Sequence, residues 1–240
     1  MIDGYEDMTV LVTGANRGLG AAFADALVGL GAKKVYGAAR DPETVRAPGV
    51  TPVRLDVTDR RRIADLAREL SDVTMVINNA GIHQRASVFD DTVVDVVESV
   101  MRTNLVGTLA VSAAFAPRLI ENGGGIIENG GGIIANMLSA GSWLAGPGNL
   151  AYAVSKAAAL SLTNNLRAEL SPRGVQVTAI HAGFIDTDMM ASFPGPKLSP
   201  REVAEAALSA IAAGAQEVLI DEMSRRAKAA SAEPVPPFVG

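Results

Sequence analysis

The sequence predicts an α/β fold, a parallel sheet with helices packed on both of its faces. Two observations predict it. Short β-branched runs alternate with segments of helical spacing along almost the whole chain. A glycine-rich turn, T-G-A-N-R-G-L-G from Thr13, joins the first such run to the first helical segment. The composition agrees. The 240 residues are 48% apolar but only 4% aromatic, so side-chain bulk must come from Val, Leu, Ile and Ala, which suits close helix-on-sheet packing. One domain spanning 1–240 is expected at this length.

Thr9 to Thr13 reads T-V-L-V-T, fit for a buried parallel strand. Leu19, Phe23, Ala26, Leu27 and Leu30 then share one helical face, and Gly31 closes that helix. Val35 to Ala38 is a second strand, followed by a turn at Asp41-Pro42. Thr51 to Leu55 is a third. Asp59 caps a helix carrying Ile63, Leu66, Ala67 and Leu70. Val73 to Ile77 is a fourth strand. Asp91 to Ile120 is largely helical, with a break or bend near Gly107. Ile133 to Leu138 is a fifth strand, and Leu150 to Leu170 a long helix stopped by Pro172 and Gly174. Val175 to Ile180 is a sixth strand, Pro200 to Ala213 a helix capped by Ser199, and Glu217 to Ile220 a short last strand. The Pro-containing tail at 231–240 is expected to be loosely ordered. Ile120 to Ile126, I-E-N-G-G-G-I, is repeated letter for letter by Ile127 to Ile133. This duplicated Gly-rich loop (120–133) enters the fifth strand at its amino end, so it should affect stability or assembly more than chemistry.

The chain has no Cys, which removes disulfides and thiolate chemistry. With only two His, His83 and His181, no multi-His metal site is expected. A net charge of −5 without a basic tract gives no reason to expect nucleic acid. The acidic start does not read as a secretory signal, and no run of apolar residues is long enough to predict a membrane span. A cytoplasmic protein is expected.

In the glycine turn, Gly14 suits positive φ, Gly18 lets the backbone approach a pyrophosphate, and Gly20 lets helix and strand pack closely. Asn16, Arg17 and Leu19 belong to the same cradle. The residues also suit a merely packed turn, but the strand–turn–helix setting favours phosphate binding. After the second strand comes Arg40, where a NAD site usually carries Asp or Glu for the ribose 2′-OH. Arg40 and Arg17 could pair with a 2′-phosphate; each alone also reads as a solvated charge, and together they favour NADP(H). Asp56 and Val57 end the third strand and could hold and cover an adenine. Asn79, Ala80 and Gly81 end the fourth, either close to a cofactor ribose or as a plain Asn/Gly turn.

Tyr152 and Lys156 stand four apart on the long helix, hence on one face. An ammonium beside a phenol would lower the phenol's pKa and ready it for proton exchange with a carbonyl oxygen. The pair alone is a common structural spacing. Ser139, ending the fifth strand on the cofactor side, strengthens it as a donor to a substrate oxygen. The Asn104 amide could hold a water behind the lysine, or be an ordinary buried, hydrogen-bonded Asn.

With these residues assembled, the chain resembles the short-chain dehydrogenase/reductase family from about Thr9 to Ile220. The resemblance rests on T-G-A-N-R-G-L-G at Thr13, L-D-V at Leu55, N-N-A-G at Asn78 and R-T-N-L-V-G around Asn104. It continues with Ser139 thirteen residues before Tyr152, then Y-A-V-S-K and A-G-F-I-D-T-D from Ala182. It implies a Rossmann-like, doubly wound sheet of seven parallel strands in the order 3-2-1-4-5-6-7. It implies Tyr152 as acid/base, Lys156 as its tuner and ribose ligand, Ser139 as orienter of the carbonyl, and Asn104 in the relay. Gly183, Ile185 and Thr187 would support the nicotinamide, and a homodimer or homotetramer is implied. Ala182 stands where the family usually has Pro, and the last strand lacks the Gly-rich close of many members.

Phe184, Met189 and Met190, with Phe193, lie in the 184–199 segment that in this family covers the substrate; with Trp143 and Leu144 they would make an apolar pocket, or simply core. His83 either touches substrate or is a surface His. The function expected is NADPH-dependent reduction of a hydrophobic ketone or aldehyde, bulky or varied as the adaptable Met side chains allow, reversible toward alcohol oxidation. The alternatives are a β-ketoacyl carrier-protein reductase and a non-catalytic NADP-binding sensor.

Overall fold

The buried T-V-L-V-T run forms β1 (Thr9–Thr13), every residue of it inside. It is covered on both edges, by β2 (Lys34–Ala39) and β4 (Met75–Asn78), and its residues alternate between the two faces. Val10 and Val12 join one core with Phe23 and Leu27, while Leu11 joins the other with Leu66 and Phe115. With β3 (Val50–Arg54), β5 (Ile133–Met137), β6 (Gln176–His181) and β7 (Glu217–Leu219) the sheet has seven parallel strands in the order β3-β2-β1-β4-β5-β6-β7. The order reverses direction beside β1, which opens a crevice beyond the carboxyl ends of β1 and β4. These observations come from a computed structural model that describes residues 4–122 and 132–233.

α1 (Gly18–Gly29) and α6 (Pro200–Ala212) cover one face. α2 (Arg60–Glu69), α4 (Thr108–Asn122) and α5 (Leu150–Leu170) cover the other. α5 has the bounds its spacing predicts and ends in a 3₁₀ turn, Ser171–Arg173, with Gly174 at φ 82°. Asp59 caps α2 by accepting from the amides of Arg61 and Arg62. Ser199 occupies the capping position of α6, but its side chain makes no capping bond. Strand limits differ from the sequence reading by one or two residues, the usual uncertainty where edges fray.

The long helical stretch is α3 (Val93–Met101) and α4 joined through a π turn, Arg102–Gly107. That turn is the expected irregularity near Gly107. Val57 lies so close that a Cβ on Gly107 would sit 2.9 Å from its Cγ2. By length and hydropathy the 30-residue Val93–Asn122 stretch would suffice to cross a membrane, which the sequence reading did not anticipate. Here its Val100, Val111, Phe115 and Leu119 are fully buried within the fold. One helix was not predicted at all: α7 (Glu222–Ala230). It buries only Ser224 and Ala227, so it carries no apolar stripe to read.

Most of the duplicated segment (123–131) and most of the tail (234–240) lie outside the described residues. The segment's flanks do lie away from the crevice. Asn122 donates to the carbonyls of Ser71 and Val73, and the Gly132 carbonyl accepts from Gln176 N, all at the amino ends of β4 and β6.

Candidate active site

The crevice at the carboxyl edge is a cavity of about 1350 Å³ that runs from Arg40 to Phe193. Of the site residues predicted from the sequence, all line it except Asn104 and Trp143.

At one end the chain leaves β1 through Gly14 (φ 68°) and enters α1 at Gly18 (φ 53°). Only glycine takes such angles at no cost. A Cβ on Gly20 would lie 2.1 Å from the Gly14 carbonyl oxygen, and one on Gly18 would lie 3.0 Å from Thr187 Cγ2. The loop is locked from β4: Asn79 N and Ala80 N both donate to Thr13 Oγ1, and Asn79 Nδ2 donates to the Thr13 carbonyl. The Asn79 amide therefore fixes the loop. What remains open is backbone N–H at the start of α1, a fit for a pyrophosphate. Arg40 is exposed on the cavity wall, and Asp56 lies near it. Bonds from Thr58 to Asp56, aided by Arg40, hold that carboxyl below its usual range. Arg17, on the same cavity wall, also has a partner within the protein. Its guanidinium pairs with Asp188 at 2.9 Å, joining the glycine loop to the 184–199 segment. These features fit a dinucleotide: a cradle that side chains would fill, a helix start for its phosphates, and cationic and acidic groups at the far end.

At the other end, Ser139, Tyr152 and Lys156 converge. Gly141 sits between the first two; a Cβ there would lie 3.4 Å from Ser139 Oγ and 3.6 Å from the Tyr152 ring. Ser139 Oγ accepts from Gly141 N at 3.1 Å, so its own O–H is left to donate into the cavity. Lys156 Nζ lies 5.5 Å from the Tyr152 ring centre and donates to the Met137 carbonyl at 2.7 Å. Lys156 is buried, and burial pushes its pKa down to about 8. Tyr152 departs from the expected direction. Burial pushes the phenol above its ordinary value, with Ser139 pulling it partly back. The desolvation of the phenol outweighs any help from the lysine, so the phenol keeps its proton at neutral pH.

Asn104 lies in the π turn, buried behind this end. Its Nδ2 donates to the Ile82 carbonyl and to Ser155 Oγ, and its Oδ1 accepts from Ile82 N. Both amide protons are thus engaged, and the side chain clamps the 81–83 loop to α5. This corrects the reading of that amide as a water holder.

Phe184, Met189, Met190 and Phe193 form an apolar wall, with Phe184 stacked on Phe193 at 3.8 Å. Trp143, expected in the same wall, does not face the cavity. Its ring stacks on His181 at 4.2 Å, because the turn after Ser139 carries it toward the sheet. His83 is more than a surface His. It lines the cavity edge-on to Tyr152, ring centres 5.1 Å apart, with Nε2 3.2 Å from Asn149 Oδ1.

Two residues were missed in the sequence, Asp221 and Met223. The Asp221 carboxylate accepts from Gly183 N at 3.0 Å and from Ser224 N at 2.9 Å, capping α7. Met223 lines the cavity. Asp221 braces the Gly183 turn that lacks the usual Pro. An Asp after a strand, followed by Glu222 in the first turn, was the available signal. Asp221→Ala should lower the melting temperature by about 2–8 °C through the lost cap and the unpaired Gly183 N–H. An unchanged melting curve would show that the brace carries no weight.

The family model for short chain dehydrogenases matches residues 8–196. The chain belongs to the short chain dehydrogenase family. An oxidoreductase of Staphylococcus aureus (strain USA300), not characterised further, is 31% identical over 219 residues, covering 85% of this chain and 91% of its own. The short chain dehydrogenase tazN of Aspergillus terreus is 34% identical over 206 residues; the match covers 80% of this dehydrogenase but only 43% of that longer protein. Among solved structures, a short chain dehydrogenase of Burkholderia cenocepacia J2315 in complex with NADP superposes with a TM-score of 0.85 and 37% identity, covering 94% and 93% of the two chains. The Rossmann-like fold and oxidoreductase class of this dehydrogenase follow from that membership.

Proposed function

We propose that this dehydrogenase is an NADP(H)-dependent oxidoreductase that reduces a hydrophobic ketone or aldehyde to the alcohol, and the reverse. The observation that carries the reading is the meeting of Ser139, Tyr152 and Lys156 in the cavity that also holds the glycine loop. Gly14 to Gly20 would hold the pyrophosphate. Arg40 would meet the 2′-phosphate, with Asp56 and Val57 at the adenine and Asn79 to Gly81, Gly183, Ile185 and Thr187 along the rest. NADPH, when bound, supplies the hydride that reduces the carbonyl carbon. The Ser139 hydroxyl donates to the carbonyl oxygen and orients it. The Tyr152 hydroxyl then gives that oxygen its proton. The Lys156 ammonium, mostly charged at pH 7, stabilises the phenolate left behind. Asn104 holds the loop beside Tyr152. The Phe184, Met189, Met190 and Phe193 wall favours an apolar substrate body.

A homodimer or homotetramer in the cytoplasm is the assembly and setting proposed. A carrier-protein substrate would call for a basic docking patch, and Arg85 and Arg102, in the cavity lining, are too sparse to make one. The test is NADPH consumption across a panel of aliphatic and aromatic ketones. NADPH binding without turnover of any of them would favour the sensor. Arg40→Asp should shift preference toward NAD by about tenfold or more, the loss of one charge-assisted phosphate contact. An unchanged ratio of kcat/KM for the two cofactors would rule Arg40 out as the phosphate reader.

A further inference from the structure

Neither the proton transfer nor the cofactor cradle uses His181, yet this side chain is wholly buried at the end of β6. A buried imidazole needs a hydrogen-bond partner. Its Nδ1 lies 3.1 Å from the Ser139 carbonyl oxygen. A carbonyl only accepts, so Nδ1 must carry the proton. Burial pushes the imidazole down to about 4, against the Ser139 carbonyl and Glu217 and with Lys228 and Lys156, so the ring is neutral near pH 7.

The main-chain bonds on either side of Ser139 run from Leu138 N to Ile180 O (2.7 Å) and from Ala140 N to Ala182 O (3.0 Å). The Ser139 carbonyl between them is tied to β6 by the His181 side chain. The turn that follows then folds over the same ring. Trp143 N donates to the Ala140 carbonyl at 3.1 Å, which brings the indole to 4.2 Å from the imidazole at an interplanar angle of 23°. The 139–143 turn thus holds His181 by one edge and one face. That turn also orients Ser139 Oγ through the Gly141 amide.

We propose that His181, clamped by Trp143, is a positioning residue that sets the Ser139 turn and so aims the Ser139 hydroxyl at the substrate oxygen. The proposal rests on the reading of Ser139 as the group that orients the carbonyl. A misplacement of about 1 Å in such a group can cost on the order of a hundredfold in rate.

The experiment is a double-mutant cycle read by NADPH oxidation with the best ketone of the panel. His181→Ala should lower kcat about 10–100-fold with little change in KM or in NADPH binding. In a Ser139→Ala background the same change should cost less than about twofold, because the hydroxyl it aims is gone. His181→Asn places an amide N–H near the Nδ1 position and should recover part of the loss. It also serves if the alanine variant does not fold. Equal costs of His181→Ala in both backgrounds, or no recovery with Asn, would overturn the proposal. If Ser139→Ala itself left kcat unchanged, the reading of Ser139 would fall first. A second readout needs no turnover. The chain has two His, so ¹⁵N resonances can be assigned with a His83→Ala variant. His181 should be the Nδ1–H tautomer with no titration near the usual value of about 6.5. An Nε2–H tautomer would equally overturn it.

Discussion

Tyr152→Phe is expected to lower turnover by about 10²–10⁴-fold, the usual contribution of a positioned general acid, while NADPH binds as before. The ring stays, and with it the edge-on packing against His83. Only the hydroxyl is lost. Stopped-time NADPH oxidation gives kcat, and NADPH fluorescence gives the dissociation constant. The direction of the Tyr152 shift adds a pH dependence. Burial raises the phenol's pKa, so the acid form needed for ketone reduction persists through neutral pH. Alcohol oxidation needs the phenolate, so its rate should climb as pH rises while reduction does not. Parallel profiles for the two directions, or a phenylalanine variant within threefold of wild type, would contradict the role given to Tyr152.

Lys156→Met should nearly abolish turnover and at the same time make the protein more stable. The folded protein holds this ammonium with pKa about 8 instead of 10.5, a penalty on the order of 3 kcal/mol at neutral pH. The bond to the Met137 carbonyl, worth about 1 kcal/mol, is lost in the variant. A net gain of about 2 kcal/mol is expected, a rise of about 4–8 °C in melting temperature for a chain of this size. The sign with pH follows from proton counts. Between about 8 and 10.5 the unfolded lysine keeps its proton and the folded one does not, so wild-type stability rises with pH there. The advantage of the methionine variant is therefore full below about pH 8 and shrinks toward 10.5. Melting curves of the cofactor-free proteins at pH 7 and pH 10 measure it. A less stable variant at pH 7 would show that the buried ammonium is net favourable.

These two outcomes set function against stability at one residue. A buried ammonium next to a partly buried phenol is costly to fold around, and on the proposed mechanism the cost falls where a phenolate forms as the proton leaves Tyr152. The scaffold absorbs it through the sheet, whose central strands are buried on both faces.

Much of this was legible in the sequence. β1, the glycine turn and α5 follow from residues close together in the chain: a β-branched run, three glycines with defined backbone needs, and an apolar face stopped by Pro172 and Gly174. The i, i+4 spacing of Tyr152 and Lys156 is likewise local. α7 escaped because its buried face is Ser224 and Ala227, with no stripe to detect. The π turn at Asn104 escaped as a type of structure, though the irregularity near Gly107 was readable, because five-residue hydrogen bonding leaves no compositional mark.

By itself, then, the sequence determined the order of the elements, the glycine turn and the spacing that brings the candidate side chains Tyr152 and Lys156 onto one helix face, since each depends on periodicity or backbone angle within a few residues. The tertiary structure alone decided where those side chains point and what they face. It set Trp143 on His181, paired Arg17 with Asp188, gave both Asn104 amide protons to Ile82 and Ser155, and raised Tyr152 where the neighbouring charge alone would have lowered it. Partners such as Ser139 and His181, 42 residues apart, meet only when the sheet closes, and desolvation is a property of the whole surrounding volume.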